Sequence, residues 1–261
     1  MSAGFVHLHL HTEYSIVDSV VRVGPLMSAT AQAGMPAIAM TDQSNLFAMV
    51  KFYRSALRQG LKPIIGAEIW LKHAPQEEAS KLVLLCKDIE GFRCLARLLT
   101  RAYVEGQDKG VPVVQREWLD VTGIDRLIAL SAAREGAVGS ALLADRTQDA
   151  RQLAEDLARR FAGDFYLELQ RTGRPGDERQ LRRAVRLAAE LSIPVVASND
   201  VRFLSPADYE AHEARVCINQ GHSLDDQNRP RDYSAEQYLR SPEEMAELFA
   251  DLPEALANTV H

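Results

Sequence analysis

The chain has 261 residues, 46% of them hydrophobic and 25% charged, which is ordinary for a soluble globular protein of one large domain or two small ones. Its formal net charge of −6 argues against a domain that binds nucleic acid by charge alone. The three cysteines form no CxxC pair, as is typical of free thiols in a reducing compartment, and no apolar run approaches the ~20 residues of a membrane span. We therefore expect a cytoplasmic protein.

Short apolar runs recur along the chain, and amphipathic helical patterns lie between them. The predicted strands are Phe5–His11, Pro36–Thr41, Lys62–Leu71, Lys81–Cys86, Arg126–Ser131, Phe165–Leu169 and Pro194–Ser198. The predicted helices are Leu26–Ala33, Leu46–Gln59, Gly91–Glu105, Gly136–Ala144, Gln148–Phe161, Asp177–Leu191 and Pro206–Gln220. Nearly continuous apolar strands that alternate with helices indicate a parallel sheet covered on both faces.

We expect these units to close into an α/β barrel rather than an open doubly wound sheet. Polar residues end almost every predicted strand, which is how a barrel builds its site, whereas an open sheet gathers its ligands at one crevice. A single domain is predicted over residues 1–261, with a loop and helices over 221–261 that lead toward the remainder of a longer chain. Because residues 254–261 resemble a helix without a C-terminal cap, we expect an N-terminal piece of a longer protein.

Three histidines alternate with apolar residues in the first predicted strand. His7, His9 and His11 are two residues apart, and side chains at i and i+2 of a strand point to the same side. We therefore expect three imidazoles on one face. Imidazole is a common ligand of zinc and similar metals, so the pattern favours a metal site over a structural role for each histidine alone.

Acidic residues lie at or near the ends of three further predicted strands, at Asp42, Glu68 and Asp200. A buried acid is costly without a cation or hydrogen-bond donors, so three of them near the histidines suggest a shared cation. The alternative is that Asp42 and Asp200 cap the helices that follow them. Glu168 and Arg171, at the end of another strand, are expected to form a salt bridge between elements of the barrel.

Three segments together resemble the PHP (polymerase and histidinol phosphatase) domain family. They are His7–Ser15 (HLHLHTEYS), Thr41–Phe47 (TDQSNLF) and Lys62–Glu68 (KPIIGAE). With supporting segments such as 197–203 and 253–259, the chain is similar, over essentially its whole length, to the N-terminal PHP domains of bacterial DNA polymerase III alpha subunits of the proteobacterial type. The resemblance implies a distorted seven-stranded (β/α) barrel.

The resemblance also implies a metal site that has lost part of its ligands. The matching ligand positions are His9, His11, Asp42, Glu68 and Asp200. The positions that depart from the family's ligands are Gln43, Lys81, Ala133 and Arg202. Two of these replacements are cations, which can pair with the acids that remain.

Two states of this degenerate site stay open. In the first, one divalent ion (zinc, manganese or magnesium) is bound by His9, His11, Glu68 and Asp200. In the second, Lys81 and Arg202 balance the acids and the site is free of metal. In both states a second ion that clamps the attacking and leaving oxygens of a hydrolysis reaction is not expected.

Three functions compete. The resemblance favours a PHP domain of the replicative polymerase that serves as a structural and docking domain for the proofreading exonuclease (epsilon) subunit and meets DNA only in the holoenzyme. The parent subunit would be a magnesium-dependent DNA-directed DNA polymerase, a nucleotidyltransferase, and this segment alone is expected to be inactive. The second is a residual metal-dependent phosphoesterase, acting as a 3′–5′ exonuclease or pyrophosphatase. The third, a free-standing enzyme similar to histidinol phosphatase, fits the polymerase-like segments poorly.

Overall fold

The computed structural model describes residues 4–74 and 76–261, and it has an α/β fold with helices packed around a curved sheet. The strands are β1 (Ala37–Met40), β2 (Lys62–Lys72), β3 (Ser80–Cys86), β4 (Gln107–Asp108), β5 (Val111–Gln115), β6 (Leu127–Leu130), β7 (Phe165–Gln170) and β8 (Val195–Ser198). The helices are α1 (Val23–Gln32), α2 (Met49–Arg58), α3 (Ile89–Glu105), α4 (Ala137–Leu143), α5 (Thr147–Arg160), α6 (Asp177–Leu191), α7 (Tyr209–Gln220), α8 (Pro242–Leu248) and α9 (Pro253–Ala257). In this described part of the chain, no helix combines the length and the apolar character that a bilayer crossing requires.

The sheet contains both parallel and antiparallel neighbours. Its strands follow the order β4, β5, β2, β3, β6, β7 and β8, and β1 pairs with β2 beside this path. The pairs of β1 with β2, β2 with β5, β6 with β7 and β7 with β8 are parallel. By contrast, β3 runs antiparallel to both β2 and β6.

The prediction of a parallel sheet is therefore wrong at β3. A parallel connection needs a crossover of roughly a dozen residues or more, usually with a helix. Only residues 73–79 join β2 to β3, and this short link reverses the direction of the chain. The antiparallel hairpin of β4 and β5, which turns at Gly110 with a φ of +84°, was not predicted.

Residues 7–11 complete the ring of strands, although they form no regular strand of their own. The Ala39 amide donates to the His7 carbonyl at 3.0 Å, which joins this segment to β1. On the other side, the His11 amide donates to the Val201 carbonyl at 3.0 Å, just beyond the end of β8. The ring thus consists of residues 7–11, β1, β2, β3, β6, β7 and β8. The predicted α/β barrel is confirmed.

The alternation of side chains changes phase between Leu8 and His9. Val6 and Leu8 pack with Val83 and Leu130, which belong to strands across the barrel, so they point into its interior. Regular alternation would turn His9 outward, yet the side chain of His9 also points inward, as its contacts described below show. This irregularity explains why residues 7–11 lack the pairing of a regular strand.

The C-terminal part of the chain crosses the end of the barrel at which β8 finishes. The Arg202 amide donates to the Gln237 carbonyl at 2.8 Å, and the Asn199 side chain donates to the Glu236 carbonyl at 2.8 Å. Two short helices, α8 and α9, follow this crossing segment. The expectation that residues 254–261 form one uncapped helix is wrong, because α9 ends at Ala257.

Candidate metal centre

Three buried side chains meet inside the barrel beside the middle of β2. His9, His11 and Glu68 each offer one ligand atom, and these atoms lie within 4.8 Å of one another. All three residues are at most 2% exposed. The irregular segment 7–11 supplies the histidines and β2 supplies the glutamate, so the sequence prediction that these three side chains meet agrees with their positions.

Both ring nitrogens of His9 face carboxylates. Nδ1 lies 2.8 Å from Glu168 Oε1, and Nε2 lies 3.0 Å from Glu68 Oε2 and 3.5 Å from Asp200 Oδ1. Burial alone would lower the pKa of His9, but the charges of Glu168 and Asp200 outweigh it and raise this pKa well above its ordinary value. The imidazolium form therefore donates a hydrogen bond to a carboxylate at each end of the ring.

His11 turns one ring nitrogen toward Glu68. Its Nδ1 lies 3.0 Å from Asp18 Oδ1 and 3.0 Å from Ser15 Oγ. Its buried Nε2 makes no hydrogen bond to any residue that the structure describes, and it lies 3.5 Å from Glu68 Oε1. Arg202 Nη1 also contacts Nδ1, so Asp18, Ser15 and Arg202 together fix the ring with Nε2 toward Glu68.

Arg202 lies among the acids at a position where the resemblance implies a metal-binding histidine. This fully buried guanidinium contacts Asp18, and its Nη2 lies 2.6 Å from Asp200 Oδ1 and 3.9 Å from Glu68 Oε2. Burial would raise the pKa of the Asp18 and Asp200 carboxyls, but the charge of Arg202 lowers both pKa values below their ordinary range. Arg202 therefore keeps two buried carboxylates ionised without a metal.

Lys81 supplies a second buried cation on the opposite side of Glu68. Its Nζ lies 3.0 Å from Glu68 Oε1 and 2.6 Å from Glu135 Oε2, and 5.4 Å from the centre of the Trp70 ring. Although burial would raise the pKa of Glu68, the charges of Lys81 and His11 lower it below its ordinary value. Glu68 is thus ionised and shared between histidines and a lysine.

Asp42 lies outside the group of three. Its carboxylate accepts hydrogen bonds from the Thr12 amide at 2.5 Å and the Thr12 hydroxyl at 2.8 Å. Burial raises the pKa of Asp42 above its ordinary value. Thr12 in turn caps a 3₁₀ turn over Glu13–Ser15, so Asp42 fixes the chain that follows the histidines rather than the start of α2.

His7 contradicts the expectation of three imidazoles on one face. Its Nε2 lies 2.9 Å from the Arg240 carbonyl, and its ring packs edge-on against Phe5. Burial lowers the pKa of His7 to about 4, so the ring is neutral and Nε2–H donates to that carbonyl. The phase change after Leu8 separates His7 from His9 and His11.

Several charged residues around the site were not predicted to belong to it. They are Asp18, Glu135, Glu168 and Arg174. As predicted, Glu168 and Arg171 each form an ion pair with another element, Glu168 with His9 and Arg171 with Asp251 and Glu178. The alternation of acidic and amide side chains in β7 was a usable signal for Glu168.

A cleft of about 440 Å³ is lined by side chains that contact the buried group, among them Asp18 and Lys81. Its lining includes Asp18, Gln43, Trp70, Lys81 and Tyr233. Among the described residues, the histidine pair and its glutamate do not line this cleft. A solute in the cleft therefore meets a lysine and an aspartate before it can reach a candidate ligand atom.

Ala133, at another replaced position, is buried in a 3₁₀ turn with a φ of +41°.

The residues present fit one metal ion but not several. His11 Nε2 is unpartnered and faces Glu68, and His9 Nε2 would complete a three-residue set once it lost its proton. A second ion beside Asp200 would have to occupy space that the Arg202 guanidinium already takes. These side chains can therefore bind one ion, but they lack the arrangement of a two-metal hydrolase.

The chain was compared with known proteins and families. A family model described as the PHP domain matches residues 7–172. The chain is 49% identical over 261 residues to the DNA polymerase III subunit alpha of Pseudomonas fluorescens and 52% identical over 263 residues to that of Pseudomonas aeruginosa. It is 44% identical over 257 residues to the subunit of Escherichia coli K12, covering 98% of this chain. In each case the match spans only 22% of the relative's length.

A solved structure shares the fold. It is a candidate metal-dependent phosphoesterase from Bifidobacterium adolescentis, with a TM-score of 0.50 and 13% sequence identity. The match covers 76% of this chain and 87% of the other. At this identity, the likeness concerns the fold alone.

Proposed function

The chain belongs to the PHP domain family, and from this membership we propose that it serves as the PHP domain of a replicative DNA polymerase III alpha subunit. In this role residues 1–261 form one domain of a longer cytoplasmic polypeptide. Its task is structural, and it docks the proofreading exonuclease subunit. DNA synthesis, with magnesium, belongs to the remainder of the subunit, and DNA meets this domain only in the holoenzyme.

The position of Arg202 carries the proposal that hydrolysis has been lost. A guanidinium between Asp18 and Asp200 supplies fixed positive charge where a catalytic metal would otherwise bind the acids. Lys81 does the same for Glu68. Neither cation can activate a water molecule as a nucleophile, which is what a catalytic metal contributes.

The same network supports a structural role. His9 links Glu68 of β2 to Glu168 of β7, and Lys81 of β3 pairs with Glu68. Arg202 ties the end of β8 to the loop before α1 through Asp18. These buried ion pairs and hydrogen bonds join strands around the barrel and hold its mouth in one arrangement, as a docking surface requires.

A titration of the chain with the cognate exonuclease subunit tests the docking role. Saturable binding is expected at micromolar concentrations or below, the range of specific subunit contacts. An unrelated protein of matched size and charge serves as the control. If no association with the exonuclease subunit is detected, the docking role is wrong.

The second candidate function is a residual metal-dependent phosphoesterase, either a 3′–5′ exonuclease or a pyrophosphatase. The unpartnered Nε2 of His11 beside Glu68 favours it, because that pair can still bind a zinc, manganese or magnesium ion. One ion could polarise a phosphate oxygen, but no second ion would stabilise the leaving group. Hydrolysis that requires added Mn²⁺ or Zn²⁺ and disappears in His9→Ala would support this candidate.

A further inference from the structure

The outer side of α2 exposes a row of apolar side chains. Phe47, Val50, Tyr53 and Leu57 are between 48% and 63% exposed. Their spacing of three, three and four residues places them on one side of the helix and its preceding turn. The opposite side of α2 is buried in the core. We call these four residues the α2 stripe.

The charged residues of α2 are all basic, although the protein as a whole is acidic, with a net charge of −6. Lys51, Arg54 and Arg58 follow one edge of the stripe at helical spacing and are all exposed. The helix itself contains no acidic residue.

Helix α2 contacts the turn at residues 13–16, which follows the histidine pair. Lys51 Nζ lies 3.2 Å from Glu13 Oε1 and 5.2 Å from the centre of the Tyr14 ring. The next exposed apolar side chain along that turn is Ile16, whose carbonyl accepts a hydrogen bond from Arg215 at 2.6 Å. The turn is therefore held at its start by Lys51 of α2 and at its end by Arg215 of α7.

We infer that the α2 stripe is the surface on which the exonuclease subunit docks, and that the docking segment is an acidic, amphipathic stretch of that subunit. This inference rests on the proposed docking function. Apolar anchors at helical spacing are how an amphipathic segment is recognised, and the exposed Arg54 and Arg58 along one edge call for carboxylates in the partner, since Lys51 is already paired with Glu13. The apolar side chains of the stripe provide surface to bury against the partner, and the neighbouring positive charge selects an acidic one.

A protein partner fits the stripe better than nucleic acid does. Single-stranded DNA is bound by aromatic rings on which successive bases stack. Here the aliphatic Val50 and Leu57 alternate with the rings of Phe47 and Tyr53, and aliphatic side chains offer no such platform. The net charge of −6 over the whole chain also opposes a polyanion as large as DNA.

Charged substitutions within the stripe test the inference. Val50→Asp and Leu57→Asp, each titrated with the cognate exonuclease subunit, are expected to weaken binding by at least ~10-fold, since an apolar anchor is lost and a repelling charge is added. The matched control is Val104→Asp on α3, which alters a side chain that is 76% exposed and outside the stripe. The control is expected to bind within about twofold of the unsubstituted chain. Thermal unfolding of every variant verifies that it is folded.

A charge reversal tests the acidic nature of the partner. The double substitution Arg54→Glu with Arg58→Glu is expected to weaken exonuclease binding and to reduce its dependence on salt, because fewer attractive charges remain to be screened. If these variants lose affinity for single-stranded DNA but keep that for the exonuclease, the partner chemistry inferred here is wrong.

The failure of the inference is distinct from the failure of the proposed function. If the unsubstituted chain binds the exonuclease and both stripe variants bind equally well, docking stands and the α2 stripe is not its surface. If the unsubstituted chain does not bind, the proposed function and the inference fall together.

Discussion

Arg202 and Asp200 form an ion pair that is completely enclosed by the protein, with Nη2 2.6 Å and Nε 2.9 Å from Oδ1. Replacing Arg202 with Met removes the charge but keeps most of the volume. Because Asp18 and Asp200 would then remain buried without their cation, the free energy of unfolding is expected to fall by about 3–5 kcal/mol. Urea titrations measure the change.

The control for this substitution is Arg93→Met, which removes an exposed partner of Glu90 on α3. An exposed pair contributes roughly 0–1 kcal/mol, so this variant should unfold close to the unsubstituted chain. Equal stability of the Arg202 and Arg93 variants would contradict the role given to the buried guanidinium.

Substitutions of His11 and of Asp42 are expected to differ in their effect on metal affinity. His11→Ala removes the unpartnered Nε2, and is expected to lower affinity for one divalent ion by at least ~10-fold. Asp42→Asn is expected to leave that affinity nearly unchanged, because Asp42 is engaged by Thr12. Zinc or manganese titrations with metal analysis of the purified protein measure both. An equal loss in the two variants would show that Asp42 is a ligand.

Protonation of Asp156 in acid is expected to lower the stability of the fold. Burial would raise its pKa, but hydrogen bonds from Arg116 and Arg160 hold the pKa of Asp156 at about 2. A carboxyl with a depressed pKa in the folded state stabilises the fold above its ordinary pKa of 3.8, and this contribution is lost as the pH falls toward 2. We expect about 1 kcal/mol to be lost by pH 3.

A comparison of the unsubstituted chain with Asp156→Asn isolates the contribution of the Asp156 carboxylate to the free energy of unfolding. The stability difference between the unsubstituted chain and Asp156→Asn should narrow as the pH is lowered from 5 to 3. Asp149→Asn, at an exposed pair with Arg146, is the matched control and should show little narrowing. A difference for Asp156→Asn that stays constant with pH would mean that the ion pair does not hold the pKa down.

The packing at the mouth of the barrel leaves no room for a side chain at position 136. A Cβ at Gly136 would lie 1.8 Å from the Ser131 carbonyl oxygen, so Gly136→Ala must displace the end of β6. We expect a destabilisation of about 1–3 kcal/mol, the usual effect of overpacking. The control is Gly24→Ala in α1, where a Cβ meets no atom within 4 Å and better helix propensity should stabilise by up to about 1 kcal/mol. Thermal unfolding that ranks the two variants in the opposite order would contradict the packing at Gly136.

Much of the barrel could be predicted because its strands are apolar runs bounded by helices. Two features could not. The reversal of β3 depends on the short link at 73–79, and an apolar run has the same appearance in either direction. The phase change between Leu8 and His9 could not be predicted, because polar and apolar residues alternate in the sequence without interruption across it.

The site was predicted in part for a similar reason. The motif that contains His9 and His11, together with the glutamate of β2, was enough to predict that these three side chains lie close together. Asp18 and Glu135, by contrast, reach the site from loops, where no periodicity fixes the direction of a side chain. Their contacts with Arg202 and Lys81 emerge only from the folded chain.

The most direct test of the account is the initial rate of phosphodiester hydrolysis by the purified chain in Mn²⁺ or in Zn²⁺, measured beside His9→Ala. The cations at Arg202 and Lys81 and the burial of the candidate ligands predict no metal-dependent rate above that of the His9→Ala variant. A metal-dependent rate in the unsubstituted chain that His9→Ala abolishes would contradict the account, and would identify the site as a working phosphoesterase.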